Sequence, residues 1–546
     1  MANLAHCLQV FSQQLRSDRT FFLAKYILSK EVKKSMNGFL FVSRRRLTMP
    51  VVLLAFALAA ALALFTLRPG SAQVASSLVK QISSDPYTNS TSQHQTQVEP
   101  DTLSFGSTVV SAFQSGRFYA GGGASGISWA TSSDAGLTWK NGTLPGLTVA
   151  DGGSYARASD SVGAYDLLHH TWLISSLAAK TTFDGVTGST VVVVSRFLRN
   201  GLTWSHPVVV AASSSSQNFD KDWIVCDQHP KSTFFGRCYE QWDDAASRPW
   251  LTLMSYSDDG GLTWTTPQGL ANQSFYAQGG QPLVQPNGNV IVPIYGFDST
   301  GAESIYSYRS IDGGASWTDL TTIAPLKYST TVAQFYRGGS LPSAEIDQTG
   351  KVYVAWAGCY FEANCSTDDI VLTTTTDGLT WTPLQRIPLD AVGSSVEHLT
   401  AGLAVDSGTA GQKAHLAVTY YYWPNAGCTA ATCQVYVGLA TSVNAGATWS
   451  QHQTLAGPMA ATWWANTTSG YMTGDYISTS IASNRAVTVV PVAQAPRGYH
   501  FSQSMDGASV SVTGGSIPSE ILTPAMVSSQ ATPGGAIPTK MQHPAN

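Results

Sequence analysis

Charged residues are scarce in this chain. Asp, Glu, Lys and Arg make up 12% of its 546 residues, against roughly 25% in typical soluble domains. From Gln73 onward there are 20 Lys and Arg against 32 Asp and Glu, a net charge of −12. So few cations exclude extensive contacts to phosphate groups, and no nucleic-acid partner is expected. An anionic substrate would need a local cationic pocket.

Metal-binding patterns are also missing from the sequence. No cysteine pair has C-x2-C spacing or a following H-x3-H, and Asp258-Asp259 and Asp368-Asp369 lack the oxygen spacing of a calcium loop. No metal or cofactor is therefore predicted. The cysteines instead predict three local disulfides in an oxidising compartment. The predicted pairs are Cys226/Cys238, Cys359/Cys365 and Cys428/Cys433, which leaves Cys7.

One long apolar run occurs near the N-terminus, at residues 49–67, directly after Arg44-Arg45-Arg46. It predicts either a membrane-spanning signal anchor or a signal peptide cleaved after Ala72, and both alternatives remain open. Residues 1–48 are then cytoplasmic, or the leading region of the signal, and the rest lies outside. Composition predicts a flexible Ser/Thr/Gln-rich linker at 73–98 and a disordered Pro/Ala/Ser-rich tail at 516–546.

An eight-residue motif, S-x-D-x-G-x-[TS]-W, recurs along the chain and is called the box below. Weaker copies end at Trp204 and Trp381, and Met505-Asp506-Gly507 begins one that lacks its Trp. The Trp residues recur every 53 to 68 positions, a length suited to one four-stranded blade. The four good copies are Ser132–Trp139, Ser257–Trp264, Ser310–Trp317 and Ser442–Trp449, the last with Asn for Asp.

The box has a structural role in this interpretation. Its Asp can accept backbone N–H groups in a tight turn, and its Gly supplies a positive φ. Between boxes the pattern is β-β-β-box-β, repeated seven times if degenerate copies are counted. We therefore predict an all-β fold over residues 99–515, a β-propeller of four-stranded antiparallel blades, with six blades as the alternative to seven.

The box resembles the Asp-box of the sialidase (neuraminidase) superfamily, although other propellers contain it as well. In such a blade the box lies between the third and fourth strands, so the functional mouth is at the opposite end. Loops that converge there are those before each first strand and those between second and third strands. Charged and aromatic candidates in them are Glu99, Asp101, Arg157, Asp160, Asp220-Lys221-Asp222, Tyr336-Arg337, Glu397-His398, Tyr471, Asp475-Tyr476, Arg117, Arg248 and Arg497.

The resemblance implies three Arg that bind a substrate carboxylate, a Tyr nucleophile polarised by a Glu, and an Asp acid/base. Arginine forks match carboxylates, and a phenol needs a neighbouring carboxylate to react at neutral pH. The predicted clamp is Arg157, Arg337 and Arg497. Asp160 is the predicted acid/base, Tyr476 the nucleophile and Glu397 its partner. Arg157 lacks the F-R-I-P context usual in sialidases, and Arg497 follows the Tyr.

The leading functional hypothesis is an extracytoplasmic glycoside hydrolase, membrane-anchored or secreted, that releases terminal sialic or related acidic sugars. A non-catalytic propeller that binds glycans or proteins is the alternative. A third hypothesis is a two-carboxylate hydrolase for neutral glycans, with Asp160 and Asp222. The sequence does not predict the oligomeric state.

Overall fold

The computed structural model describes residues 78–523, except 184, 199–202, 248, 271–272, 319, 330–334, 339–340 and 499. The chain divides into residues 1–73 and 74–546, and the first of these lies outside the described residues. So do the predicted segments 1–48 and 49–67, Arg248, and the tail from residue 524. The described part of the chain contains no helix of the length and apolarity that a membrane span requires.

The described residues form an all-β structure with four short 3-10 turns, at 149–151, 363–365, 411–413 and 461–463, and no α-helix. The strands are β1 (Lys80–Gln81), β2 (Gln97–Phe105), β3 (Thr108–Arg117), β4 (Ala124–Ser132), β5 (Lys140–Thr143), β6 (Arg157–Asp166), β7 (Thr171–Ala179), β8 (Thr190–Leu198), β9 (Thr203–Trp204), β10 (Val208–Ala212), β11 (Phe219–Cys226), β12 (Cys238–Asp244), β13 (Leu251–Ser257), β14 (Gln268–Gly269), β15 (Tyr276–Gln278), β16 (Leu283–Val284), β17 (Val290–Phe297), β18 (Glu303–Ser310), β19 (Thr321–Pro325), β20 (Tyr336–Arg337), β21 (Ser343–Ile346), β22 (Val352–Gly358), β23 (Asp369–Thr375), β24 (Gln385–Arg386), β25 (Glu397–Val405), β26 (Leu416–Trp423), β27 (Gln434–Ser442), β28 (Thr448–Trp449), β29 (Gln453–Ala460), β30 (Asn466–Thr467), β31 (Gly470–Met472), β32 (Ser478–Ala482), β33 (Arg485–Arg497), β34 (His500–Ser511), β35 (Ile517–Pro518) and β36 (Glu520–Ile521).

Most strands belong to seven repeats of antiparallel sheet, each built mainly from consecutive strands. A single pair, Ala124 with Ala158, joins the sheets of repeats 1 and 2. In repeat 4 the first strand is split into two short pieces, β15 and β16, that both pair with β17. The repeats are repeat 1 (β2–β5), repeat 2 (β6, β7, β8, β10), repeat 3 (β11–β14), repeat 4 (β15–β19), repeat 5 (β21–β24), repeat 6 (β25, β26, β27, β29) and repeat 7 (β32, β33, β34, β1).

The first strands of the seven repeats contact one another in chain order, from β2 through β6, β11, β16, β21 and β25 to β32, and β32 in turn contacts β2. Hydrogen bonds link neighbours in this cycle. Ser478 Oγ accepts from the Thr102 backbone N–H at 3.0 Å, and Asp101 Oδ2 accepts from the Gly163 N–H at 2.8 Å. The first strand of one repeat thus satisfies polar groups of the next.

Apolar side chains fill the space between neighbouring repeats. Val162, Leu173 and Val194 of repeat 2 pack with Ile224 and Trp242 of repeat 3 in one buried cluster. Strands buried on both faces have their apolar surface removed from water by both neighbouring repeats. This burial stabilises the fold by roughly 25 cal/mol per Å² of apolar surface. This burial holds each repeat to the next.

The sheets extend beyond the predicted domain of residues 99–515 at both ends. β1 pairs antiparallel with β34 and becomes the fourth strand of repeat 7. At the other end, β35 pairs with β28 and β36 with β24. Composition predicts a linker at 73–98 and a tail at 516–546, whereas the structure has β1 in the first segment and β35 and β36 in the second. Their order comes instead from backbone pairing with distant strands.

The boxes form compact turns between third and fourth strands. In the box of repeat 3, Ser257 Oγ accepts from the Gly261 N–H at 2.9 Å. Asp259 accepts from the N–H groups of Leu262 and Thr263 and from the Thr263 hydroxyl, at 2.6 to 2.9 Å. Gly261 has a φ of 80°, where other residues are strained. The recurring Ser, Asp, Gly and Thr of the motif therefore stabilise the turn.

The structure contains the three predicted disulfides, Cys226–Cys238, Cys359–Cys365 and Cys428–Cys433. Cys226 and Cys238 lie opposite each other on β11 and β12. Each of the other two closes a loop of fewer than ten residues. All three bridges are therefore local to one repeat.

Replacing the box aspartate should destabilise the chain far more than replacing its neighbour. Asp259→Ala removes four hydrogen bonds to the Asp259 carboxylate, one of them from Ser257 Oγ at 2.8 Å, and we expect a loss of about 1–3 kcal/mol. Asp258 accepts two bonds from Arg237 at 2.7 and 2.8 Å, but its side chain is 58% exposed, so Asp258→Ala should cost about 1 kcal/mol or less. Chemical unfolding midpoints of the full chain measure both. Equal losses in the two variants would contradict the structural role of the box.

Candidate active site

Three charged residues predicted at the mouth occupy equivalent positions in repeats 1, 2 and 3. Glu99, Asp160 and Lys221 each lie at a β-bulge, where the first strand shifts its register against the second. Their φ angles are 55°, 48° and 45°, a left-handed conformation that non-glycine residues rarely adopt. Thr400 has the same bulge in repeat 6, with φ 46°. Bulges re-aim side chains, and such backbone strain is concentrated at functional sites.

Sheet topology places these residues together. In an antiparallel four-stranded repeat, the connections between strands 1 and 2 and between strands 3 and 4 share one end of the sheet. The boxes are at that end. Glu99, Asp160 and Lys221 lie near the other end, with Arg117 at the end of β3 and Tyr476 just before β32. The charged residues near the mouth ends of different repeats form what we call the mouth cluster: Glu99, Arg117, Asp160, Lys221, Arg337, Asp475 and Tyr476.

Arg337 reaches the cluster through a pairing between distant segments. β20 pairs in parallel with β31, which sets Arg337 opposite Met472. Its Nε and Nη2 atoms donate to Asp475 Oδ1 and Oδ2 at 3.2 and 2.6 Å. The Arg337 side chain is 28% exposed, and its Nη1 atom forms no hydrogen bond within the described residues. One edge of the guanidinium is thus held by Asp475, and the other remains open to a ligand.

Lys221 connects Asp160 to Tyr476. Its Nζ atom lies 3.5 Å from Asp160 Oδ1 and 3.4 Å from the centre of the Tyr476 ring. The Lys221 side chain is only 6% exposed, and Nζ donates no hydrogen bond within the described residues. Trp223 packs edge-on against Tyr476, with ring centres 5.6 Å apart. A cation over the face of an aromatic ring is attracted to it.

Glu99 and Arg117 form the floor of the cluster. Gln114 joins them, because its amide donates to Glu99 Oε2 and its carbonyl accepts from Arg117 Nη1 at 3.1 Å. Glu99 Oε1 also accepts from the Asp475 N–H at 3.1 Å. Arg117 is 2% exposed, and its Nε atom is a buried donor without a hydrogen bond in the described structure. The cluster therefore contains two buried cations, Arg117 and Lys221, that each have a donor atom without a hydrogen bond within the described residues.

Burial and charge set the protonation of the carboxyl groups. Burial, with the charges of Asp475 and Asp160, raises the pKa of Glu99 to about 8. Burial also raises the pKa of Asp160, although Lys221 opposes that shift. Glu99 is thus mainly neutral at pH 7 and can exchange a proton near that pH.

Asp475 behaves in the opposite way. Burial raises its pKa, but Arg337, Arg117 and Lys221 together lower it below the usual value. The Asp475 carboxylate is thus an anion stabilised by three cations. Burial and the Asp160 charge raise the pKa of the Tyr476 phenol well above its usual value, so the phenol is protonated in the free site.

The structure brings together three of the six residues predicted for the site: Asp160, Arg337 and Tyr476. Arg157 instead donates through Nη1 to the carbonyls of Ala120 and Gly122, at 2.6 and 2.8 Å, and lies over the ring of Phe118. Its backbone position beside the bulge at Asp160 directs the side chain towards the loop after β3.

Glu397 and Arg497 also have other surroundings. The Asp368 N–H donates to Glu397 Oε2 at 3.3 Å, and burial, with the Asp368 charge, raises the pKa of Glu397 to about 10. Arg497 is exposed near the tip of the β33–β34 hairpin, opposite His500. That hairpin is longer than its counterparts in the other repeats, and Arg497 is exposed at its end.

Glu99, Arg117, Lys221 and Asp475 were recognised from sequence only as members of the mouth loops, without assigned roles. One feature of the sequence could have separated Glu99 and Lys221 from the other candidates. In repeats 1, 2 and 3, aligning the first strands places Glu99, Asp160 and Lys221 in one column. The residue at that position is acidic in repeats 1 and 2 and basic in repeat 3. A search of one sequence for a recurring residue type therefore does not find the shared position.

No family model and no curated protein sequence matches the chain. Among solved structures, it is similar to a Hadza microbial sialidase, with 13% identity, 71% of this chain and 74% of the other covered, and a TM-score of 0.41. It is also similar to the intramolecular trans-sialidase of Ruminococcus gnavus, with 15% identity, 81% and 98% covered, and a TM-score of 0.39.

A third similar structure is the α-L-arabinofuranosidase of Fusarium graminearum, with 12% identity, 63% of this chain and 93% of the other covered, and a TM-score of 0.40. Sialidases are thus among the solved structures that the chain is similar to, as the box motif predicts. All three TM-scores are below 0.5.

We expect stability to fall as pH rises from 5 to 9. Burial raises the pKa values of Asp368 to about 7, Asp222 to about 8 and Glu397 to about 10. Carboxyls with raised folded pKa values stabilise the fold below their unfolded pKa of about 4, and that contribution is lost as pH passes the folded values. The thermal midpoint of the full chain should drop by several degrees.

Glu397→Gln should flatten this decline above pH 7, because the amide does not ionise. Asp298→Asn is the control, since hydrogen bonds from Thr300 lower the pKa of that exposed carboxyl and it stays ionised over the whole range. A midpoint that is constant or rises between pH 5 and 9 would show that these carboxyls are not buried as described.

Proposed function

We propose that the chain is an extracytoplasmic glycoside hydrolase of the sialidase type, which releases terminal sialic or related acidic sugars from glycans. The observation that carries this proposal is the convergence of Arg117, Lys221 and Arg337 beside Asp160 and Tyr476. In a body with a net charge of −12 beyond residue 72, three cations in one place indicate recognition of an anionic group.

The scaffold of this site is, in the same proposal, a propeller with seven blades, one for each repeat. The cyclic order of contacts among the first strands supports it, as does the use of β1 to complete repeat 7. A strand from the start of the domain thus completes the last sheet and ties the two ends of the domain together. The active site would then lie at the mouth, where the bulges are.

The substrate carboxylate would bind to the open edge of Arg337. Arg117 and Lys221 add positive charge, and both have buried donor atoms without hydrogen bonds within the described residues. A bound carboxylate oxygen could satisfy such donors, which cost roughly 1–3 kcal/mol each when left unmet. Asp475 would keep Arg337 in position by holding its Nε and Nη2 atoms.

The chemical steps follow from the neighbours of Tyr476. Its Oη would attack the anomeric carbon while Asp160 donates a proton to the leaving glycosidic oxygen. The ionised form of Glu99, whose share grows as pH rises towards its pKa of about 8, would accept the phenolic proton, in the role that the sequence suggested for Glu397. Water would then attack the anomeric carbon and give a proton to Asp160, while Glu99 returns its proton to the departing phenolate, which Lys221 stabilises as it leaves.

The protein would act outside the cytoplasm, on glycans. Three disulfides support an extracytoplasmic protein, because such bridges persist in oxidising compartments. Whether residues 49–67 anchor the chain or are removed stays a prediction. The expected partner is a glycan, with no role for nucleic acid.

A non-catalytic glycan- or protein-binding propeller is a second candidate, favoured by one observation. Asp475 already occupies two donors of Arg337, and Arg117 is almost fully buried. The cations are therefore partly neutralised within the protein. A ligand that needs only the remaining donors could bind there without reaction.

The full chain should hydrolyse a fluorogenic sialoside, and single changes in the cluster should abolish most of this activity. We expect Asp160→Asn to lower kcat about 10²–10⁴-fold, the usual range for loss of a general acid. Tyr476→Phe should lower kcat at least as much, because it removes the nucleophile. Initial rates and product analysis measure both.

Arg497→Ala is the matched control and should keep the wild-type kcat and KM, since Arg497 is exposed outside the mouth cluster. No turnover by a chain that still binds a sialylated glycan would favour the non-catalytic candidate. Neither turnover nor binding would reject both. Turnover that survives Asp160→Asn and Tyr476→Phe would reject the assigned residues.

A further inference from the structure

A second polar cluster lies between repeats 5 and 6, and the proposed reaction does not use it. Asp369 begins β23, Asp390 lies in the connection from β24 to β25, and His398 is the second residue of β25. Each offers one ligand atom, and the three atoms lie within 4.8 Å of one another. Asp369 and His398 are each 2% exposed.

We propose that Asp369, Asp390 and His398 bind a divalent metal ion of the zinc class. Zinc–ligand distances of 2.0–2.2 Å place tetrahedral ligand atoms about 3.4 Å apart. The present separations are at most 4.8 Å, so each has to shorten by no more than about 1.4 Å to reach that value. Three protein ligands leave a fourth position for water, and the ion would join the first strand of repeat 6 to repeat 5.

The surroundings of the three ligands resemble an outer shell of a metal site. The His398 Nδ1–H donates to the Asp368 carbonyl at 3.0 Å, which leaves the Nε2 lone pair for an ion. Arg386 donates to Asp369 Oδ1 at 2.7 Å and to Asp390 Oδ1 at 2.5 Å. Metal-binding histidines and carboxylates are typically oriented by such hydrogen bonds.

An independent observation concerns the second oxygen of Asp369. Asp369 Oδ2 is buried and accepts no hydrogen bond within the described residues. A buried carboxylate oxygen without a partner is costly, and a metal ion would satisfy it. Arg386 supplies one positive charge and faces three carboxylates, those of Asp369, Asp390 and, at 3.6 Å, Glu520, so negative charge remains for the ion to compensate.

The ligand set also selects the class of ion. Imidazole nitrogen suits zinc and its neighbours, whereas calcium takes six to eight oxygen ligands. Two carboxylates and one histidine therefore favour Zn²⁺ over Ca²⁺. We expect Zn²⁺ to bind at least tenfold more tightly than Ca²⁺.

The test is a titration of the chelator-stripped full chain with Zn²⁺, followed by calorimetry and by metal analysis after desalting. We expect one tight equivalent in the wild type, and at least tenfold weaker binding in Asp390→Asn and in His398→Gln. His415→Gln is the matched control, because His415 lies 3.9 Å from Asp406 in another Asp–His pair without a third ligand. It should retain the tight site.

Circular dichroism first establishes that each variant folds. Should His398→Gln not fold, visible absorption of Co²⁺ bound to the wild type replaces it, with one equivalent expected and displacement by Zn²⁺. Absence of a saturable Co²⁺ or Zn²⁺ site in the wild type overturns the proposal. So does equal Zn²⁺ affinity in wild type, Asp390→Asn and His415→Gln, which would indicate scattered surface histidines.

Discussion

The cycle of contacts among the seven first strands is the constraint on which the rest of the structure depends. These strands are largely buried, so polar groups that their own sheet leaves unpaired have to be satisfied by the neighbouring repeat. Ser343 Oγ accepts from the Leu403 N–H at 3.0 Å, and Gln281 Oε1 accepts from the Ala344 N–H at 2.7 Å. Each repeat is thereby positioned by the next one, and residues far apart in sequence meet at one end of the sheets.

The bulges in these strands connect the fold to the site. A residue with left-handed φ costs of order 1–3 kcal/mol when it is not glycine, and the first strands of four repeats contain one. In repeats 1 to 3 that residue is charged and belongs to the mouth cluster. In repeat 6 it is Thr400, an uncharged residue whose side chain hydrogen-bonds to Tyr336, the neighbour of Arg337. The shared geometry comes from the repeat, and the chemistry depends on which side chain occupies the bulge.

Sequence alone predicted the elements that local patterns specify. The box, its glycine and the local cysteine pairs each depend on residues within one repeat, and the mouth loops follow from their position relative to the box. The partners of individual side chains could not be predicted in this way. Arg337 meets Asp475 because β20 pairs with β31, and Glu397 meets Asp368 across the junction of two repeats. The pairing of β1 with β34 was equally hidden, because a two-residue strand has no pattern.

Charge balance determines what the mouth cluster can bind. Arg117, Lys221 and Arg337 surround Asp475, the one carboxylate of the cluster whose pKa is lowered, while burial keeps Glu99 mainly neutral at pH 7. The cations are therefore not fully compensated, and two of them have buried donors without hydrogen bonds in the described structure. An anionic sugar supplies the missing acceptors, which a neutral sugar would supply only through weaker hydroxyl contacts.

A crystal structure of the full chain with bound N-acetylneuraminic acid tests this account most directly. We expect the sugar carboxylate to accept a hydrogen bond from Arg337 Nη1 beside Arg117 and Lys221, with the anomeric carbon facing Tyr476 Oη. A sugar bound away from these residues, or a carboxylate directed into solvent at full occupancy of the site, would contradict it.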